Sequence, residues 1–219
     1  MSSLNIKTRE SDEQLVSVLR KAMAGAELNN MRELFLELNP HLREHPEFGN
    51  RYVARKIAAV LIPIIMREEP TVLLTLRSTD TPSHAGQVSF PGGRVHDDDP
   101  DLEFTALRET HEEVGISPDK VEVLGHVGEH LGGMGYNVTP YLGLVRTQVD
   151  FVPCPREVGE IFEVPLSYVL DLKNHGTEEK FYDDVSYHMF NMPYKQYNIW
   201  GLTAGILRSF AERVDAVAK

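Results

Sequence analysis

Residues 90 to 116 read FPGGRVHDDDPDLEFTALRETHEEVGI, and their second half puts Glu109, Glu112 and Glu113 within five positions. Carboxylates this close repel one another unless solvent or a cation relieves them. The stretch predicts a helix from about Pro100 to Val114. Asp99 before Pro100 fits an N-cap and first helical position, and Gly115 fits the left-handed residue just past a helix end. At about 100° per residue, Phe104, Leu107, His111 and Val114 fall on one stripe, with the three glutamates roughly opposite. On this spacing His111 is a packed residue and the acids face outward.

A glutamate-rich face that meets only water is the ordinary explanation of such a cluster. The preceding FPGG argues for more, because a glycine pair after a strand turns tightly and lets backbone amides approach an anion. Hard cations such as Mg²⁺ and Mn²⁺ prefer carboxylate oxygens, and Mg²⁺ usually takes only one or two from protein, leaving the rest to water and substrate phosphate. Loop, helix and acids therefore read as one unit that relieves its repulsion with divalent metal and bridges to a pyrophosphate.

The rest of the chain fits a small-molecule site of this kind. With 219 residues, 42% of them apolar and 25% charged, it is long enough for one good-sized core with an appended helical segment. Lys plus Arg number 22 against 33 Asp plus Glu, so 22 − 33 = −11, which argues against sequence-independent binding to a nucleic acid backbone. Cys154 is the single cysteine, so no internal disulfide forms, and a reducing compartment suits it. The longest apolar run, IAAVLIPIIM at 57 to 66, is too short to span a bilayer. The N-terminus MSSLNIKTRE lacks a secretory pattern and the C-terminal VAK is no peroxisomal signal, so the expectation is a cytoplasmic protein without a membrane partner.

Ser11 with Gln14, and Asn30 with Glu33, stand as N-cap and third helical residue before QLVSVLRKAM and MRELFLEL, predicting two N-terminal helices. AAVLIPII and TVLLTLR, separated by REEP, read as paired strands. Further strands are expected near VEVLGHVG, VTPYLGLV, EKFYDD and SYHMFNM, and a helix near EVPLSYVLD. A last amphipathic helix carries Ile199, Leu202, Ile206, Phe210, Val214 and Val217 at steps of three and four. A linker is placed near residues 50 to 55, which divides the chain into an N-terminal helical extension, 1–50, and a main domain, 51–219.

On these residues the chain resembles the Nudix hydrolases. Their box runs Gly, five residues, Glu, seven residues, then Arg-Glu-apolar-any-Glu-Glu-any-Gly-apolar; here Gly93 begins it and RETHEEVGI closes it. Within it Asp99 replaces the first Glu, eight residues rather than seven separate it from Arg108, and Thr110 holds a usually apolar position. Upstream, LLTLRSTDTPSHAGQVSFPGG at 73 to 93 resembles the added signature of the subfamily that hydrolyses coenzyme A and its thioesters, with Leu73, Leu74, Thr75, Arg77, Ser78, Gly86, Phe90, Pro91, Gly92 and Gly93 matching and Pro82 in place of a second arginine.

The resemblance implies an α/β/α sandwich with a mixed central sheet, here with an N-terminal helical segment. It implies Glu109, Glu112 and Glu113 as ligands of Mg²⁺ or Mn²⁺, and Arg108 as the arginine that orients them. Arg108, Glu112 and Glu113 are the expected catalytic group. Arg77, His84, Gln87, Gly92 and Gly93 are the expected substrate contacts. A general base is sought among Glu112, Glu113, Glu129, His130, Glu157 and Glu160, with Trp200, Tyr136 and Asn137 as weaker site candidates. The implied reaction is hydrolysis of the pyrophosphate of coenzyme A or its thioesters to adenosine 3′,5′-bisphosphate and 4′-phosphopantetheine or its acyl derivative. Alternatives are another nucleoside diphosphate derivative, such as ADP-ribose or NADH, or a non-catalytic nucleotide-sensing module. Monomer and homodimer both stay open.

Overall fold

The axis of the molecule is the parallel pairing of β1 (Lys56–Ile65) with β7 (Tyr136–Val145), in register from Lys56 opposite Tyr136 to Ile65 opposite Val145. Both strands are almost continuously apolar because both faces of the sheet are covered. The computed structural model describes residues 2–24, 31–45, 56–80, 84–132, 135–146, 149–182 and 184–218. The expected linker, Asn30 and Pro82 lie outside them.

Antiparallel strands extend the sheet on either side of this pair. β2 (Thr71–Arg77) joins β1 and carries β3 (Val88–Ser89) and β8 (Val158–Pro165). β4 (Gly92–Arg94) also pairs with β1, while β5 (Val121–His126) and β6 (His130–Gly132) pair with β7. A separate hairpin joins β9 (Gly176–Tyr182) to β10 (Val185–Asn191).

Helices cover the two faces. On one, α3 (Leu102–Val114) lays Ala106 on Ala59 and Leu61, and Val114 beside Ile65 and Leu73. On the other, α1 (Ser2–Met23) and α5 (Gly201–Ala218) close over Ile62, Ile64, Leu142 and Leu144 with Leu19, Met23, Ile206, Leu207 and Phe210. Each such side chain contributes about 1.5–3 kcal/mol by leaving water. This is the α/β/α sandwich with a mixed sheet. Helix α2 (Met31–Leu38) packs Phe35 and Leu36 against Val185 and Tyr187 of β10. The buried Asn39 side chain fastens it there, donating to His188 O and accepting from His188 N.

Four expectations are corrected. Helix α1 begins at Ser2, so Ser11 lies inside it instead of capping it. Only Leu166–Leu170 (α4) of EVPLSYVLD is helical; Glu163, Val164 and Pro165 end β8, where alternate burial on a half-covered strand overrides helical spacing. The N-cap of α3 is Asp101, whose carboxylate accepts from Phe104 N at 2.8 Å, because Asp99 is engaged elsewhere. Finally, α3 is rotated relative to its apolar count. Thr105, Ala106, Thr110, Glu113 and Val114 are buried, while Phe104 and His111 are exposed. Small side chains let the helix approach the sheet closely, and Thr110 fits there because its hydroxyl donates to Ala106 O at 2.7 Å.

Candidate active site

The loop that leaves β3 is shaped by two glycines. Gly92 has φ +154, and a Cβ on it would meet the backbone of Ala59 and Val60. At Gly93 the space for a Cβ holds the Glu109 carboxylate, both of whose oxygens lie 2.5 Å from that point. Gly92 N–H in turn donates to Glu113 Oε2 at 3.2 Å. The glycine pair and two of the three glutamates therefore form one contact surface, with Gly115 (φ +78) ending the helix one residue past Val114.

Arg108 is clamped at every nitrogen. Its Nε and Nη2 donate to the two oxygens of Asp99 at 3.0 and 2.9 Å, Nη2 also donates to Arg94 O at 3.2 Å, and Nη1 reaches Glu109 Oε1 at 2.8 Å and Glu112 Oε1 at 3.4 Å. Asp99 further accepts from His96 N at 2.9 Å and Thr105 Oγ1 at 2.8 Å. The Arg108 guanidinium, followed by the His96 amide, holds the Asp99 carboxyl well below the usual carboxylate range. The extra residue before Arg108 is thus absorbed in a loop that still delivers a carboxylate to the arginine.

Glu113 is the opposite case. It is 3% exposed, Gly92 N–H is its hydrogen-bond donor, and burial pushes its carboxyl up to about 8 against the pull of Gly92 N–H and the Arg77 charge. Burial also raises Glu109, which Arg108 opposes. Glu112 is largely exposed, its side chain 57% accessible. Glu157 adds negative charge near both Glu109 and Glu113. The turn that carries it is docked on the end of α3 through Cys154 N to Glu113 O at 2.9 Å and Glu157 N to Cys154 O at 3.0 Å.

Of the expected substrate contacts, Arg77 ends β2 with a buried Nε that has no hydrogen-bond partner among the described residues, close enough to Glu113 for its charge to act there. Its backbone N–H donates to Gln87 O at 2.9 Å, and Gln87 Oε1 lies 2.8 Å from His84 Nδ1. The structure therefore brings Arg77, Gln87, His84, Gly92 and Gly93 to the same loop system as the box.

Other candidates are engaged with partners of their own. Glu160 accepts from Tyr197 O–H at 2.5 Å, and Glu129 accepts from Asn137 Nδ2 at 2.6 Å. His130 is buried between Gly128 O and Ser209 Oγ, and burial pushes it down to about 4, which makes it a neutral packed residue. Trp200 lies beneath Lys180 Nζ, and Tyr136 beneath Lys56 Nζ. Sequence reasoning left Thr105 out of the site; its position six residues past Asp99 is the only signal that could have found it.

The fold, the glycine loop and the acidic helix define a Nudix hydrolase. The NUDIX domain family matches residues 55–185, and the chain belongs to that family. It is 44% identical over 158 residues, 72% of its own length and 79% of the relative's, to the uncharacterized Nudix hydrolase NudL of Yersinia pestis (strain Pestoides F), and equally to that of Yersinia pseudotuberculosis serotype O:1b (strain IP 31758). In fold it is similar to a MutT/nudix family protein from Enterococcus faecalis (TM-score 0.54, 17% identity, 90% of this chain and 73% of that one). It is also similar to the MutT protein from Methanosarcina mazei Go1 (TM-score 0.50, 20% identity, 76% and 97%).

Nudix hydrolases generally use divalent ions such as Mg²⁺ or Mn²⁺. Among the described residues no group of three or more His, Cys, Asp or Glu side chains is arranged to hold a metal ion by itself. The donor chemistry nevertheless fits a hard cation that takes one or two carboxylates from protein. Glu113 is a buried carboxyl short of positive charge, beside Glu109 and Glu157, and a divalent ion there would supply what that cluster lacks. No helix among the described residues is long and apolar enough to cross a membrane.

Proposed function

We propose that the chain hydrolyses the pyrophosphate bond of coenzyme A or its thioesters, releasing adenosine 3′,5′-bisphosphate and 4′-phosphopantetheine or its acyl derivative. The observation that carries this reading is the meeting of two motifs. The LLTLRS segment carries Arg77, whose buried Nε has no partner among the described residues and lies within electrostatic reach of Glu113 on the metal helix. A buried donor without an acceptor costs about 1–3 kcal/mol, so Arg77 is suited to receive an anionic oxygen from a ligand.

In this reading Glu109, Glu112 and Glu113 hold Mg²⁺ or Mn²⁺, which when bound neutralises the phosphate oxygens and lowers the pKa of an attacking water. Arg108 keeps Glu109 and Glu112 in place, with Asp99 fixing the guanidinium. The amides of Gly92 and Gly93 line the loop against which the pyrophosphate rests. Arg77, with His84 and Gln87, reads the nucleotide side of the substrate. Coenzyme A differs there from ADP-ribose by its 3′-phosphate, which a cation can read through charge-assisted hydrogen bonds.

Mass spectrometry of the products from coenzyme A with Mg²⁺ or Mn²⁺ tests the assignment, with dephospho-coenzyme A, ADP-ribose and NADH alongside. Coenzyme A is expected to have the highest kcat/KM. A higher value for ADP-ribose or NADH would move the assignment to another nucleoside diphosphate derivative. Residues 1–50 are proposed to serve packing or assembly and not chemistry, since Val16, Leu19, Ala22 and Met23 of α1 are buried in the main core. Leu19→Ala should therefore cost about 2–5 kcal/mol of stability and leave KM unchanged.

A further inference from the structure

Beside Arg77 the sheet carries two hydroxyls that the reading above does not use. Thr75 and Ser89 face each other across β2 and β3, with Thr75 Oγ1 3.0 Å from Ser89 Oγ and 3.2 Å from Ser89 O. Thr75 is 1% exposed and Ser89 is half-buried. Valine would occupy the same volume at Thr75 without a polar atom to satisfy.

The face on which they stand follows from the strand repeat. Leu73 of β2 packs with Val114 and Ile116 at the end of α3, so Thr75, two residues on, shares that face; the pairing with β8 shifts register between Leu76 and Arg77, and Arg77 is placed on the α3 side by its charge acting on Glu113. Val72, Leu74 and Val88 belong to the core on the opposite face, which leaves Ser89 on the α3 side. Arg77 N bonds to Gln87 O while Thr75 is opposite Ser89, so Arg77 and Ser89 are diagonal neighbours, within reach of a long side chain. Three residues beyond Ser89 comes Gly92, whose amide meets Glu113.

We infer that Ser89 is a phosphate-binding residue of the site and Thr75 its positioning residue. The hydroxyl pair has two proton arrangements. When Thr75 Oγ1 donates to Ser89 O, Ser89 must spend its own proton on Thr75. When Thr75 instead donates to Ser89 Oγ, the Ser89 proton is free to point to a pyrophosphate oxygen. An anionic ligand selects the second arrangement. The inference rests on the reading of the site as a pyrophosphate hydrolase, and it concerns the phosphates common to all candidate substrates.

A cross-strand Thr–Ser pair that merely supports the sheet is the competing account, and steady-state kinetics with coenzyme A and ADP-ribose separate the two. Ser89→Ala should raise KM about tenfold, as expected for one hydrogen bond to a charged group, with kcat within twofold of wild type. Thr75→Val should give a smaller rise and Thr75→Ser should restore it. The Thr75→Val/Ser89→Ala double variant should be no worse than Ser89→Ala alone, because Thr75 acts through Ser89. If Ser89→Ala kept the wild-type KM, or if the two changes added in full, the inference would be overturned while the hydrolase reading stood. A wild type that cleaved neither substrate would overturn both.

Discussion

The fold treats two arginines, Arg108 on the acidic helix and Arg77 at the end of β2, in opposite ways. Arg108 spends its nitrogens on Asp99, Glu109, Glu112 and Arg94 O. Arg77 keeps a buried Nε without a partner. The carboxylates divide along the same line, since Asp99 accepts from Arg108, His96 and Thr105, whereas the buried Glu113 has one amide at 3.2 Å. In the proposed reading, complete pairing marks the half of the site that maintains geometry, and incomplete pairing marks the half that awaits ion and substrate.

Glu113→Gln strikes the incomplete half and carries the largest expected effect. It keeps the shape and removes the charge, so turnover at saturating Mg²⁺ should fall about a thousandfold, several kcal/mol at 1.36 kcal/mol per factor of ten. Thermal stability should be maintained. Wild-type kcat in this variant would remove Glu113 from the metal site and dissolve the contrast.

Asp99→Asn strikes the complete half. Arg108 would lose a bidentate carboxylate and no longer fix Glu109, so kcat should drop about 10- to 100-fold, the usual range for an outer partner of a metal ligand. The unfolding temperature should fall as well, which distinguishes this side from the Glu113 side. If kcat fell and the unfolding temperature did not, Asp99 would be acting on the reaction and not through the scaffold.

Arg77→Ala should act on selectivity. The ratio of kcat/KM for coenzyme A over ADP-ribose is expected to shrink about tenfold, the equivalent of one charge-assisted hydrogen bond. An equal loss for both substrates would place Arg77 on the pyrophosphate common to them.

The paired half was harder to read from the sequence than the unpaired one. Glu109, Glu112 and Glu113 are adjacent in a patterned box, so their grouping on α3 follows from spacing alone. Asp99 looked like a helix cap because Asp-Pro is a common start, and only the fold shows that Asp101 caps while Asp99 reaches Arg108. Burial was misjudged for a related reason. Apolar periodicity turns Phe104 inward, yet Phe104 is 46% exposed because close packing of Ala106 and Thr110 decides the rotation of the helix. The long apolar strands β1, β2 and β7 were legible. Strands β4 and β6 have three residues each, too few for a repeat, and β8 reads VGEIFEVP, whose Gly, Glu and Pro conceal its alternation.

The smallest expected effect is on stability without metal, and it depends on sign. Burial pushes Glu113 from 4.5 up to about 8, so between these values the folded chain binds a proton that the unfolded chain has released. Stability then falls as pH rises. His130 and His175 work in the other direction, because burial lowers both from 6.5 and the unfolded chain binds the extra proton, a contribution that fades above about pH 7. Asp99, held low by Arg108, titrates far below this range. The window from about pH 7 to 8 therefore reads chiefly Glu113, whose raised carboxyl titrates there. In EDTA, the urea midpoint should decline across that window, with a slope of no more than about one proton from Glu113. Glu113→Gln should flatten most of the decline, and saturating Mg²⁺ should abolish it by stabilising the ionised carboxylate. An unchanged slope in Glu113→Gln would mean that the carboxyl is already ionised in the folded chain, and that this half of the site is electrostatically complete before metal arrives.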